Sequence, residues 1–444
     1  MQAKNKGIWS LGAKGWYIVI IGFFCYFIGQ ILGGAGLSNT VVPAVAEIRG
    51  FEATAMTAWI SYGSWIALPF VVIWAKVGEK IGAKKTIMIS MTIAAAAFIC
   101  FGCTTSFTLW CVAMVVLSVC TFAFYSYGGN ALISNWFPTR KGIALGWASM
   151  GIMFSDIFWV PYITKAFGAI GLSTTSIIVG AIVLVLVAVI FFTVKEKPEE
   201  AGAYPDNEPI PNEQMKMIAQ IQNQYKTDWT VLKLLKTKET WIVGFMGALM
   251  WMCGGGTIVC FYPRMLSLGY EYSQISVIFQ SIAFISLVGS WLLGVIDVKL
   301  GTKKAFIICG IIILIGDLVM FLVVPYSIVG AYISAALVGV SIGGVPNLLA
   351  SMQASIWGRW DFVASSKVIS LFTSIFLGSS FLLSSKSFEI TGSYNAYFIF
   401  ICCSAAISLI LAIIIKPKLL GKSDEDIMAM FPQYREAFTT AEEQ

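Results

Sequence analysis

Apolar residues gather in runs of about 20, the length that crosses a bilayer as a helix, and short polar segments separate one run from the next. The runs lie at 16–36, 53–75, 86–104, 108–135, 140–164, 171–194, 240–262, 272–297, 304–325, 328–352, 363–385 and 393–415. They predict an all-α membrane protein with twelve transmembrane helices. The first run follows Lys4, Lys6 and Lys14, exceeds the apolar core of a signal peptide and lacks a small-residue cleavage site, so it reads as a retained helix.

The polar interruptions set the domain plan. Between Lys195 and Glu239 the chain turns charged and Pro-rich, then regains apolar spacing at Trp229, Val231, Leu232, Leu234 and Leu235, the mark of a short amphipathic helix on a membrane face. The expected units are an N-terminal six-helix bundle over 1–194, a cytoplasmic linker over 195–239, a C-terminal six-helix bundle over 240–416 and a cytoplasmic tail over 417–444. The halves echo each other. IGAKKTIMI at Ile81 to Ile89 returns as LGTKKAFII at Leu300 to Ile308, which puts Gly82 and Gly301 219 residues apart, and GGN at Gly128 to Asn130 returns as GGVPN at Gly343 to Asn347. A duplicated six-helix unit is the simplest source of such echoes.

Charge supplies the orientation. With both termini inside, 25 of the 29 basic residues fall on the cytoplasmic side, and only Arg49, Lys165, Arg264 and Lys386 fall outside. The net charge of +6 then reflects topology, and no nucleic-acid partner is implied. Composition agrees, with 58% hydrophobic and 12% charged residues and a mean hydropathy of +0.82, against about 25% charged in soluble domains. The ten cysteines sit in or at the ends of the apolar runs and read as free, small apolar residues. Histidine is absent, which removes the commonest general base and metal ligand. No metal, cofactor or enzymatic nucleophile–base constellation is expected.

AKVGEKIGAKK, from Ala75 to Lys85, resembles the signature loop between the second and third helices of the major facilitator superfamily. The resemblance implies two six-helix pseudo-repeat bundles that alternate access to a solute. It also implies a cytoplasmic gate built from Glu79, Lys80, Gly82 and Lys84, from Asp297, Lys299 and Gly301 in the second copy, and from Arg140 and Arg359 after the fourth and tenth helices. Glu79 stands where the family usually has Asp, Ala75 replaces a Gly, and Asp297 lies one position early. NWFPTRKGIALGWASMG, EKPEEAGAYPDNEP and DWTVLKLLKTKETW are similar to the oxalate:formate antiporter and monocarboxylate transporter-like branches, which implies small carboxylates as solutes. The positions that carry basic substrate ligands in the oxalate carriers are Ser290 and Ser370 here, which speaks against oxalate itself. The fourth run has no Arg and the fifth no Gly-Pro pair, unlike proton-coupled drug exporters.

Within the apolar runs, ionisable groups are functional candidates. Asp156 and Asp317 lie near mid-membrane. Asp156, on the helix that faces the cavity in this fold, is the candidate coupling residue; the alternative is that it hydrogen-bonds a neighbouring helix as packing. Lys367 is a candidate anion ligand or a cytoplasmic helix-start charge. Tyr26, Gln30, Tyr62, Tyr127, Asn130, Trp251, Gln280, Asn347 and Ser370 complete the expected substrate-binding set. Glycine clusters in GQILGGAG (Gly29 to Gly36) and CGGGT (Cys253 to Thr257) allow close helix approach or bending.

The resulting expectation is a monomeric secondary transporter in a prokaryotic inner membrane, both termini cytoplasmic. It moves a small organic anion with protons or a counter-solute. Asp156 among aromatic rings keeps a zwitterion or quaternary amine open as the solute, and a non-transporting membrane sensor is the reading from another class.

Overall fold

A computed structural model describes residues 11–34, 41–137, 141–203, 207 and 224–432. The chain divides into two compact units, Met1–Lys216 and Met217–Gln444. Among the described residues every regular element is helical.

The first unit contains α1 (Ala13–Gly33), α2 (Ala53–Ile81), α3 (Ala83–Cys103), α4 (Phe107–Trp136), α5 (141–170) and α6 (Leu172–Thr193). The second contains α7 (Lys238–Val259), α8 (Tyr272–Leu300), α9 (Thr302–Leu322), α10 (Ile328–Gly358), α11 (Ala364–Thr391) and α12 (Asn395–Ile414). The six-plus-six plan expected from the apolar runs is therefore present. Large apolar side chains cover the outer faces, with Phe192 76% and Trp291 68% exposed. Water would penalise such a surface and lipid accepts it.

Each unit packs its helices in a related order. In the first, α3 lies against α4 and α6, α1 against α5, and α2 against α4; in the second, α9 lies against α12 and α7 against α12 and the α10–α11 run. Without a hydrophobic driving force inside lipid, small residues at the crossings decide how close helices come. A Cβ at Gly151 of α5 would meet Phe27 N of α1 at 3.0 Å, so that crossing brings backbone against backbone. The glycine clusters pack similarly: Gly33 faces Thr121, and Gly254 faces Ile342 and Ile313.

The repeated basic motif differs from the expected loop. α2 runs to Ile81 and α3 begins at Ala83, so Gly82 alone turns the chain, with φ 90° and ψ 163°. α8 runs to Leu300 and α9 begins at Thr302, and Gly301 turns the chain with φ 86° and ψ 152°. Lys76, Lys80, Lys84 and Lys85, like Lys299, Lys303 and Lys304, are thus helical. The physical reason is that glycine alone enters this backbone region without strain, so no linking loop is needed. Gly171 makes the same corner between α5 and α6, with φ 85° and ψ 155°. The linker helix appears as Val231–Leu235, with Thr230 Oγ1 accepting from Lys233 N at 3.3 Å and Leu234 fully buried.

Candidate substrate and coupling site

Two of the long helices of the first unit are interrupted by π-helical turns, Phe122–Gly128 in α4 and Ser155–Trp159 in α5. Such turns insert an extra residue and re-aim the side chains around them, and they recur at functional sites. Here they flank α1. Asp156 sits inside the α5 turn and Asn130 two residues beyond the end of the α4 turn.

α1 meets both with side chains one turn apart. Gln30 Nε2 donates to Asp156 Oδ1 at 3.0 Å and Oδ2 at 2.9 Å. Tyr26 OH donates to Asn130 Oδ1 at 2.5 Å, and its ring meets Tyr125 edge-on with centroids 4.9 Å apart. Gln30 and Asp156 are each only 9% exposed, and no ion pair to Asp156 occurs among the described residues. Phe27 and Trp159 stack edge-to-face at 6.0 Å across the same α1–α5 seam. Four of the residues singled out in the sequence, Tyr26, Gln30, Asn130 and Asp156, therefore form one junction of α1, α4 and α5.

The other expected substrate residues stand apart from it. Tyr62 belongs to an aromatic row on α2 with Trp59 at 5.3 Å and Trp65 at 6.0 Å. The Tyr127 ring lies against Gly78 near the end of α2. Trp251 packs on the core of the second unit. Among the described residues Gln280 Nε2 reaches only Ser276 Oγ of its own helix, at 3.4 Å, while Asn347 Nδ2 donates to Ser290 Oγ at 2.8 Å and ties α10 to α8. Lys367 and Ser370 are exposed near the start of α11, where Ser370 Oγ donates to the Lys367 carbonyl at 3.2 Å.

Asp317 of α9 is fully buried. Thr257 Oγ1 of α7 donates to its Oδ1 at 2.7 Å, and its Oδ2 has no hydrogen-bond partner. The two buried acids thus share a pattern, in which the first helix of each unit supplies a donor to a buried carboxyl group.

At the ends of the helices, some expected gate residues are placed and others are not described. Arg140 and the side chains of Glu79 and Arg359 lie outside the described residues. Lys80 and Lys299 are exposed and Asp297 is half-buried. Lys84 Nζ donates to the Phe191 carbonyl at 2.8 Å. Sequence reasoning missed the acid that closes this end. Glu196 accepts from Ala83 N at 2.7 Å and Lys84 N at 2.8 Å, and Asn135 Nδ2 joins it at 3.3 Å. A carboxylate there satisfies free N–H groups at the start of α3 and meets the positive end of its dipole. The second unit has its own missed acid. Asp361 accepts from Thr227 Oγ1 at 2.5 Å, Tyr225 OH at 2.8 Å and Lys422 N at 3.0 Å, joining the linker to the segment after α12. Burial first, and then the Asp361 carboxylate, push the Tyr225 phenol above the ordinary tyrosine range. Glu196 opens the EKPEEAGAYPDNEP stretch, which reads only as family likeness, and Asp361 stands in WDF with no local signal of its partners.

The sequence profile of the Major Facilitator Superfamily matches residues 18–359. The chain belongs to this superfamily. It is 26% identical over 196 residues to the MFS-type transporter pynF of Aspergillus niger, covering 44% of each chain. It is 21% identical over 307 residues to the uncharacterized MFS-type transporter YhjX of Escherichia coli K12, covering 67% of this chain and 70% of that one. The chain thus spans less than half the length of the first of these relatives. A crystal structure of a mutant of the nucleoside transporter NupG superposes with a TM-score of 0.65 at 14% identity, covering 93% of this chain and 100% of that one. At that identity the likeness speaks for the major facilitator fold alone. Among the described residues ten helices are long and apolar enough to cross a membrane, in keeping with a membrane transporter of this superfamily.

Proposed function

We propose that this transporter moves a small organic anion, a monocarboxylate, by alternating access, with Asp156 as the group that couples movement to protons or to a counter-solute. The observation that carries the coupling role is the Gln30–Asp156 pair, a buried acid held on both oxygens by a neutral amide across the α1–α5 seam. An acid without a basic partner in a low-dielectric setting is held in whichever protonation state its surroundings favour. A change in its exposure between inward and outward states then becomes a change in proton occupancy. Co-transport of a proton with a monocarboxylate moves no net charge, which suits this pairing. The solute shifts the two states only through its difference in affinity for them. The likeness of NWFPTRKGIALGWASMG to the carboxylate-carrier branches supports the anion.

The second reading, a zwitterion or quaternary amine, draws on the rings of Tyr26, Tyr125, Phe27 and Trp159 at the junction that holds Asp156, which has no ion pair among the described residues. In either case both termini, the 195–239 linker and the 417–444 tail lie on the cytoplasmic side of a prokaryotic inner membrane, as the basic residues favour, and the monomer is the working unit. Counterflow in proteoliposomes at two pH values, with carboxylates and quaternary amines offered to wild type and Asp156→Asn, separates the readings. Carboxylate exchange whose pH dependence disappears in the variant supports the anion with Asp156 coupling. Amine exchange alone, abolished by the variant, makes Asp156 the counter-charge of a cation. Solute binding without exchange points to a sensor.

A further inference from the structure

Arg264 counts among the few basic residues that topology places outside, yet it is not a loop charge. It lies on the short helix Phe261–Ser267 that follows α7 beyond Cys260, and its side chain is 1% exposed. Its Nε and Nη2 are buried and have no hydrogen-bond partner. Among the described residues no acid pairs with it; its one side-chain contact of note is the Phe398 ring of α12, whose centroid is 5.5 Å from Cζ. Phe261, Tyr262 and Met265 belong to the apolar cluster around it.

A guanidinium buried without a counter-charge is costly, and its cost falls when an anion meets it. The pattern of the unmet donors is informative. Nε–H and Nη2–H project in parallel from one edge of the guanidinium, the edge that engages the two oxygens of a carboxylate side by side. The helix that carries Arg264 is bounded by non-helical residues, Cys260 at φ −95°, ψ 2° and Leu268 followed by Gly269 at φ 85°. These breaks at both ends set the seven-residue segment off from α7 and α8.

We propose that the Nε/Nη2 edge of Arg264 binds the carboxylate of the transported solute within the second unit. This rests on the organic-anion reading above and gives it the base that unit 1's polar junction lacks. The planar fork suits two oxygens of one oxyanion better than a spherical ion such as chloride, and within the organic-anion reading that oxyanion is a carboxylate.

The test uses the full chain purified in detergent, with thermal unfolding followed against sodium pyruvate, sodium acetate, sodium chloride, choline chloride and acetamide. The carboxylates should raise the unfolding temperature of wild type, and chloride, choline and acetamide should not. Arg264→Gln should abolish that rise while unfolding, without ligand, at or above the wild-type temperature, since it removes an unpaired buried charge. Arg264→Lys should weaken the apparent affinity at least tenfold, because an ammonium has no fork. A fall in the ligand-free unfolding temperature of Arg264→Gln would assign the charge a structural role and overturn the proposal. An undiminished rise in Arg264→Gln would overturn it too, while leaving the organic-anion reading standing. Equal stabilisation by chloride would replace the carboxylate with an inorganic anion. Stabilisation of wild type by choline alone would overturn both this inference and the organic-anion reading.

Discussion

Cutting the Gln30–Asp156 contact from each side measures whether the two residues work as one device. Gln30→Met keeps the length of the side chain and removes both donors; Asp156→Asn keeps the shape of the acid and removes its charge. In the present geometry one amide nitrogen serves two carboxyl oxygens at 3.0 and 2.9 Å, both partners being 9% exposed. Hydrogen bonds to charged groups contribute about 1.5–3 kcal/mol in soluble proteins, but side-chain pairs between membrane helices average about 0.6 and reach about 1.7 kcal/mol. Burial favours this pair, while one amide nitrogen shared between two oxygens makes a three-centre contact and not two full hydrogen bonds, so the coupling should be about 1 kcal/mol, a factor of roughly five. The assay is the initial rate of counterflow for wild type, both single variants and the double variant. If the residues act together, the double variant is no slower than the slower single one. Rates that simply multiply, leaving a coupling below about 0.5 kcal/mol, would refute the view that Gln30 sets the state of Asp156.

Gly301→Ala should destabilise the protein by about 1–3 kcal/mol through backbone strain alone, since an added Cβ there meets nothing within 4 Å. Gly294→Ala, with open space at a helical position of α8, should be neutral or mildly stabilising. Thermal unfolding of the two side by side checks both. Glu196→Ala should cost about 0.5–2 kcal/mol by uncapping α3, with Glu196→Gln in between; equal unfolding temperatures for all three would remove the cap. Asp361→Ala takes away the acceptor shared by Thr227, Tyr225 and Lys422, so limited proteolysis should cut near residues 224–230 and after residue 415 sooner than in wild type. An unchanged cleavage pattern would mean that other contacts hold those segments.

What could be read in the sequence was what repeats or what depends on neighbours in the chain. Helix number followed from run length, and the two units from the spacing of Gly82 and Gly301, because lipid imposes one rule on every span. At the basic motifs the preceding helix was ended too early and the following one begun too late, since charge suggested a loop where a single glycine makes the turn. Gln30, Asn130, Tyr26 and Asp156 were found because polar groups in apolar runs are conspicuous. Their meeting depended on two π-turns beside α1, which leave no mark in composition. The burial of Arg264 was hidden for a related reason: one base after an apolar run counts only toward topology, and the contact with α12 is seen only in the fold. Glu196 and Asp361 drew no notice as acids near helix ends, and gained roles only when distant segments supplied their partners.

The one-residue corners at Gly82, Gly171 and Gly301 leave the chain no slack between the helices they join. A tilt of α2 cannot be absorbed by a stretching loop; it must be handed on to α3 as rotation about two backbone bonds, and α8 drives α9 in the same manner. Each corner therefore behaves as a universal joint in a linkage of stiff rods. Lengthening a joint by even a few flexible residues would uncouple the rods it connects while leaving every helix intact.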